Sequence, residues 1–146
     1  MKTGRGYDLV DGDTQVLTDP EAAHAFVQET GVDALAVSIG TVHGEYHGEP
    51  DIRVDLLQQI KSVVPVPLVL HGASGTEPAL LRECVRGGIA KVNIYTDLAM
   101  AINKTVKEKY SSSDQVQIPD VLCDLRQAIF EKLGEYISIL GSRNRA

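Results

Sequence analysis

Two kinds of apolar pattern alternate along the chain. Ala34–Ile39, Leu68–Leu70 and Ile89–Ile94 are short, nearly continuous apolar runs, the pattern of strands covered on both faces. Pro65 and Pro67 mark the start of the second run. Helical spacing fills the stretches around them. Thr18 and Glu21 have capping-box spacing, Pro20 fits a first helical turn, and Gly31 supplies a stop. Ala22, Ala25, Phe26 and Val27 would form that helix's apolar face. A second helix is predicted from about Asp55, burying Leu56, Leu57, Ile60, Val63 and Val64, and a third from about Glu77, burying Leu80, Leu81, Cys84 and Val85. A fourth starts at Thr96 and uses Leu98, Ile102 and Val106 until Ser111–Asp114 breaks the pattern. The last runs from about Asp120 to Leu140, with Leu122, Leu125, Ile129, Leu133, Ile137 and Leu140 spaced by three or four; this face suits either core packing or a subunit contact. Residues 1–17 have no clear periodicity and read as a flexible segment and loop.

The strand–helix–strand–helix–strand order implies parallel pairing in chain order through right-handed crossovers. Three strands with two faces to cover make a poor domain, and a complete (β/α)₈ barrel needs roughly 250 residues. At 146 residues, the expected fold class is α/β: about three βα units plus a long final helix, the C-terminal part of a TIM (β/α)₈ barrel spanning residues 18–146.

Polar chemistry collects after each strand, where parallel-sheet proteins place their sites. His43 and His71 each follow a strand and each precede a glycine. A lone loop histidine usually bonds a backbone carbonyl, but two at matching ends of neighbouring strands can converge on one metal ion. His47, further into the loop, and His24, within the first helix, read as solvated or core-edge residues. Gly72-Ala73-Ser74-Gly75 leads into a helix and can offer N–H groups and a hydroxyl to a phosphate, as can Asn93–Thr96 one strand later; both also suit ordinary turns and caps. Asp97 is read as favouring the helix N-terminus rather than a ligand hydroxyl, and Arg143 and Arg145 as a solvated tail or a phosphate contact.

Composition narrows the function class. A net charge of -6 without a basic stripe argues against nucleic acid, and no apolar run approaches the roughly 20 residues of a membrane span. Cys84 and Cys123 sit in apolar helical patterns and are expected to be buried free thiols, so a cytoplasmic protein is the default.

Three ordered motifs, Ala36–Gly44, Leu68–Gly75 and Lys91–Thr96, together resemble the C-terminal part of the class II, zinc-dependent fructose-bisphosphate and tagatose-bisphosphate aldolases. The resemblance implies a lyase of carbohydrate metabolism (glycolysis among its settings) that cleaves a ketose bisphosphate to dihydroxyacetone phosphate and glyceraldehyde 3-phosphate. It puts two zinc ligands on His43 and His71. Triose-phosphate contacts fall on Gly44, Gly72, Ala73, Ser74, Asn93, Ile94, Tyr95 and Thr96, and a monovalent-cation site (Na⁺ or K⁺) on oxygens around Val42, Gly44, Gly72 and Ser74. An arginine near the end of some members lines up with Arg145. The family's acid–base aspartate and first zinc histidine are adjacent in its N-terminal half, and no Asp-His pair occurs in this chain, so its catalytic residue stays unassigned. Tyr95 also replaces the small or acidic residue of many members. The implied partners are a phosphorylated sugar and either further copies of the chain or a complementing N-terminal half. The competing readings are a non-catalytic remnant that binds phosphate, metal or a half-barrel, and a metal-free phosphate-binding barrel enzyme, against which the paired histidines speak.

Overall fold

The computed structural model describes residues 16–41, 51–113 and 115–145. His43, Gly44 and His47, and the expectation for the first fifteen residues, therefore lie outside the described residues. In chain order the elements are α1 (Pro20–Thr30), β1 (Leu35–Val37), α2 (Val54–Val63), β2 (Leu68–Leu70), α3 (Pro78–Arg86), β3 (Ile89–Val92), α4 (Thr96–Ser112) and α5 (Ile118–Ile139).

The strands form one parallel sheet in the order β1-β2-β3. Leu35, Ala36 and Val37 pair with Leu68, Val69 and Leu70, which pair in turn with Ile89, Lys91 and Val92 across an irregularity near Leu68 and Val69. Side chains alternate between faces. Leu35, Val37, Leu68, Leu70, Ile89 and Val92 therefore share one face. It meets Ala23 and Val27 of α1, Leu57 and Ile60 of α2, and Leu81 and Cys84 of α3 in a single core, which Tyr136 of α5 also enters. Leu57, Ile60, Leu68, Leu70 and Cys84 are wholly buried. The other face carries Ala36, Val69 and Lys91. Ala36 and Lys91 are exposed, so β1 and β3 are not covered on both faces by the described residues.

Details of the helices depart from expectation. The cap of α1 is Asp19, whose Oδ1 accepts from the Ala22 N–H at 2.8 Å. Thr18 instead ties α1 to the end of β1: its N–H donates to the Ser38 carbonyl and its Oγ1 accepts from the Ser38 N–H. The buried face of α1 is Ala23 and Val27, four apart, whereas Ala22, Ala25 and Phe26 are exposed. In α5 only Val121 and Tyr136 are buried, and Leu122, Phe130, Leu133 and Ile137 lie open to solvent. The apolar spacing identified the helix and left its face open between core packing and a subunit contact; Leu125, Ile129 and Leu140 are half-buried and the rest of the stripe is exposed. Cys84 is buried, and desolvation pushes its thiol up to about 11; Cys123 is exposed, contrary to expectation.

The stem of the long loop after β1 is tightly built. The Arg53 N–H donates to the Ile39 carbonyl at 2.7 Å, closing the loop where it opens. Gly40 has φ +107°, and a Cβ there would stand 1.9 Å from the Asp51 carbonyl oxygen. Both backbone conformation and space require glycine. Gly40→Ala should lower unfolding stability by about 2 kcal/mol or more, from a strained φ and a backbone clash. Urea denaturation checks it; a midpoint equal to that of the parent chain would show that the stem relaxes without cost.

Candidate active site at the strand ends

β2 delivers its chain directly into His71, which follows the last buried strand residue Leu70. Gly72 and Gly75 then adopt φ +67° and +76°, left-handed values that glycine takes without steric cost, and the Thr76 N–H closes the turn onto the Ala73 carbonyl at 3.2 Å. Ala73, Ser74 and Thr76 are buried in this turn, which leads to the start of α3.

The β2–β3 ladder continues one step past the strands, because the Asn93 N–H donates to the Leu70 carbonyl at 2.9 Å. That step brings Asn93 beside His71, with Asn93 Nδ2 at 2.9 Å from His71 Nε2 and 3.3 Å from Nδ1. Lys91 Nζ donates to Asn93 Oδ1 at 2.5 Å. A lysine ammonium has no acceptor, so this contact fixes the carboxamide with its oxygen toward Lys91 and its NH₂ toward His71. The imidazole nitrogen that accepts from Asn93 is then a deprotonated one, the form in which histidine binds a metal.

The first turn of α4 locks onto the glycine-rich turn. The Asp97 N–H donates to Ser74 Oγ at 3.3 Å, and the Gly75 N–H donates to Asp97 Oδ2 at 3.4 Å. Ser74 Oγ is thus used as an acceptor. The same Asp97 oxygen accepts from the Tyr136 hydroxyl of α5. Burial first, and the Asp97 contact second, hold the Tyr136 phenol well above its ordinary pKa, so it stays a donor throughout the physiological range.

The structure therefore brings His71, Gly72, Ala73, Ser74, Asn93, Ile94 and Thr96 to one end of the sheet. Tyr95, between them in sequence, is 77% exposed. His24 is separate from this end: its Nδ1 lies 2.7 Å from the Val63 carbonyl, the bland role expected of it. Arg143 and Arg145 are exposed. Lys91 and Tyr136 were not singled out from sequence. Lys91 carried a usable signal, since it precedes Asn93 by two and so shares its side of the strand. Tyr136 sits in an apolar helical pattern that gave none.

For a metal, His71 supplies an imidazole at a strand end; the lone pair it would offer is the one that accepts from Asn93 here, so a metal would take the place of the Asn93 NH₂ at that nitrogen. No group of three or more His, Cys, Asp or Glu side chains suited to a metal occurs among the described residues, which do not include His43.

Comparison with known proteins decides the family. The family model for fructose-bisphosphate aldolase class II matches residues 2–145. This chain belongs to that family. The YdjI protein of Escherichia coli strain K12 is 41% identical over 129 residues, 88% of this chain and 45% of YdjI. The crystal structure of the YdjI aldolase superposes with a TM-score of 0.78 at 39% identity, covering 88% of this chain and 46% of that one. A putative fructose-1,6-bisphosphate aldolase from Coccidioides immitis gives a TM-score of 0.82 at 29% identity, covering 89% and 45%. The fructose-bisphosphate aldolase of Campylobacter jejuni, at 23% identity, shares the fold with a TM-score of 0.72, covering 89% and 49%. The chain thus spans about half the length of the class II aldolases it matches.

The His71–Asn93 contact has a direct consequence. Asn93→Ala removes the carboxamide donor that stands 2.9 Å from His71 Nε2, so the tautomer preference of the ring should shift. Long-range proton–nitrogen NMR of the imidazole reads this; an unchanged tautomer pattern in the variant would show that Asn93 does not hold the ring.

Proposed function

We propose that this chain supplies the zinc and phosphate half of a class II ketose-bisphosphate aldolase site, acting in the reversible cleavage of fructose or tagatose 1,6-bisphosphate to dihydroxyacetone phosphate and glyceraldehyde 3-phosphate. The observation that carries the reading is the meeting of His71 with Asn93 above the glycine-rich turn, at one end of a parallel sheet, in a chain of this family. His43 and His71 would hold zinc, whose role when bound is to act as a Lewis acid on the ketone oxygen. Gly72, Ala73 and Ser74, with Gly44 and Asn93–Thr96, would hold the phosphate of the triose half, with N–H groups and the Ser74 proton as donors and α4 contributing its positive end. Fixing that phosphate places the reacting carbons, so binding energy is used for orientation. Asn93, with its NH₂ turned toward the site by Lys91, is suited to donate to a substrate oxygen that gains negative charge. A monovalent cation among the oxygens near Gly72 and Ser74 would offset part of the phosphate charge.

A second reading is favoured by one sequence fact: the chain has no Asp-His pair. On that reading the described residues bind metal and phosphate but do not move the C4 hydroxyl proton, a step for which general acid–base catalysis is typically worth 10²–10⁴-fold. The exposed Ala36 and Lys91 face of the sheet then receives a complementing N-terminal half-barrel that brings the proton-transfer group. Both readings place the reaction in a soluble carbohydrate pathway, with the cytoplasm as its expected setting; no helix among the described residues is long and apolar enough to cross a membrane.

Zinc titration and a coupled triose-phosphate assay test these together. His43→Ala and His71→Ala should each weaken zinc binding, and an affinity unchanged from the parent chain in both variants would remove the metal reading. Zinc-dependent cleavage should appear on mixing the chain with a separately expressed N-terminal half and be absent from the chain alone. Turnover by the chain alone would place the proton-transfer group within its own residues.

A further inference from the structure

The last helix reaches the site through one side chain. Tyr136 is 6% exposed, one of only two buried residues of α5, and it is polar at its tip. That tip meets Asp97 across 39 positions of sequence. Asp97 is held from three sides: the Tyr136 hydroxyl and the Gly75 N–H both donate to its Oδ2, and its own N–H donates to Ser74 Oγ. Two of those three bonds are to the glycine-rich turn. A carboxylate so near an anion-binding turn is unfavourable for a phosphate unless it is neutralised by donors and turned aside. Gly75, with φ +76°, has no side chain of its own to brace the turn.

We propose that Tyr136 is a positioning residue for the anion-binding turn: its hydroxyl holds the Asp97 carboxylate against the Gly75 N–H and so fixes Gly72–Ser74 for a phosphate group. The inference rests on the reading of that turn as a phosphate site. It assigns the last helix a role in binding that its apolar spacing does not suggest. Because the phenol stays protonated, the latch is a permanent donor rather than a pH switch.

Tyr136→Phe keeps the ring in the core and removes only the hydroxyl. The test is amide hydrogen exchange at Gly75, together with binding of inorganic phosphate, each followed by NMR on the full chain. The variant should exchange Gly75 at least tenfold faster while Leu70 keeps its protection, and should bind phosphate at least threefold more weakly. Asp97→Ala, which leaves the Tyr136 ring in place, should reproduce the loss at Gly75. Unchanged Gly75 exchange in Tyr136→Phe would overturn the latch, whatever Asp97→Ala does. Faster exchange with unaltered phosphate affinity would overturn its role in binding. If the parent chain itself binds no phosphate, the reading of the turn as a phosphate site fails, and Gly75 exchange still decides whether Tyr136 holds the turn. Should Tyr136→Phe not fold, the Tyr136 hydroxyl proton in the parent chain decides it: a slowly exchanging hydroxyl signal that is lost in Asp97→Ala supports the latch, and a freely exchanging one overturns it.

Discussion

The central position of β2 is the constraint from which the rest follows. Leu68 and Leu70 are wholly buried, and their backbones pair on both sides with parallel partners. Parallel strands joined by α2 and α3 must all point the same way, so every strand ends at the same edge of the sheet. Three residues of apolar strand thus decide where His71 emerges. One further ladder bond, from Asn93 to the Leu70 carbonyl, decides what stands next to it. The polar contacts at this edge are then second-order consequences: Lys91 orients Asn93, Asn93 faces His71, and Asp97 braces the turn between them.

The same constraint accounts for what is left open. Crossover helices cover one face of the sheet, and Ala36 and Lys91 remain exposed on the other, where a complete barrel packs its interior side chains. Among the described residues β1 and β3 have β2 as their one strand partner. Strand edges without a further partner favour association. The chain spans about half the length of the relatives it matches.

Periodicity made the order of elements and the parallel arrangement legible, because helices and strands differ in period and because alternation leaves few topologies. It was less informative about orientation. In α1 the four apolar candidates cluster on adjacent positions, and packing chose Ala23 and Val27. In α5 the regular stripe is only half-buried at Leu125, Ile129 and Leu140 and exposed at Leu122, Leu133 and Ile137, while Tyr136, which lies off that stripe, enters the core. Thr18 and Asp19 are both good caps by composition, and the nearby end of β1 claimed Thr18. The site was legible where motif residues follow strands directly, as His71 and Asn93 do. It was not legible where a contact depends on distant segments, as in Tyr136 with Asp97. The aldolase resemblance read from three motifs agrees with the family match over residues 2–145.

The central proposal is that His43 and His71 hold one metal between them. Zinc-edge X-ray absorption on the zinc-loaded chain tests it most directly, because it counts imidazole neighbours whether or not the chain turns over substrate. The account predicts two imidazole nitrogens at about 2.0–2.1 Å, falling to one in His43→Ala and in His71→Ala. A zinc environment that keeps the same imidazole count after both substitutions would contradict it.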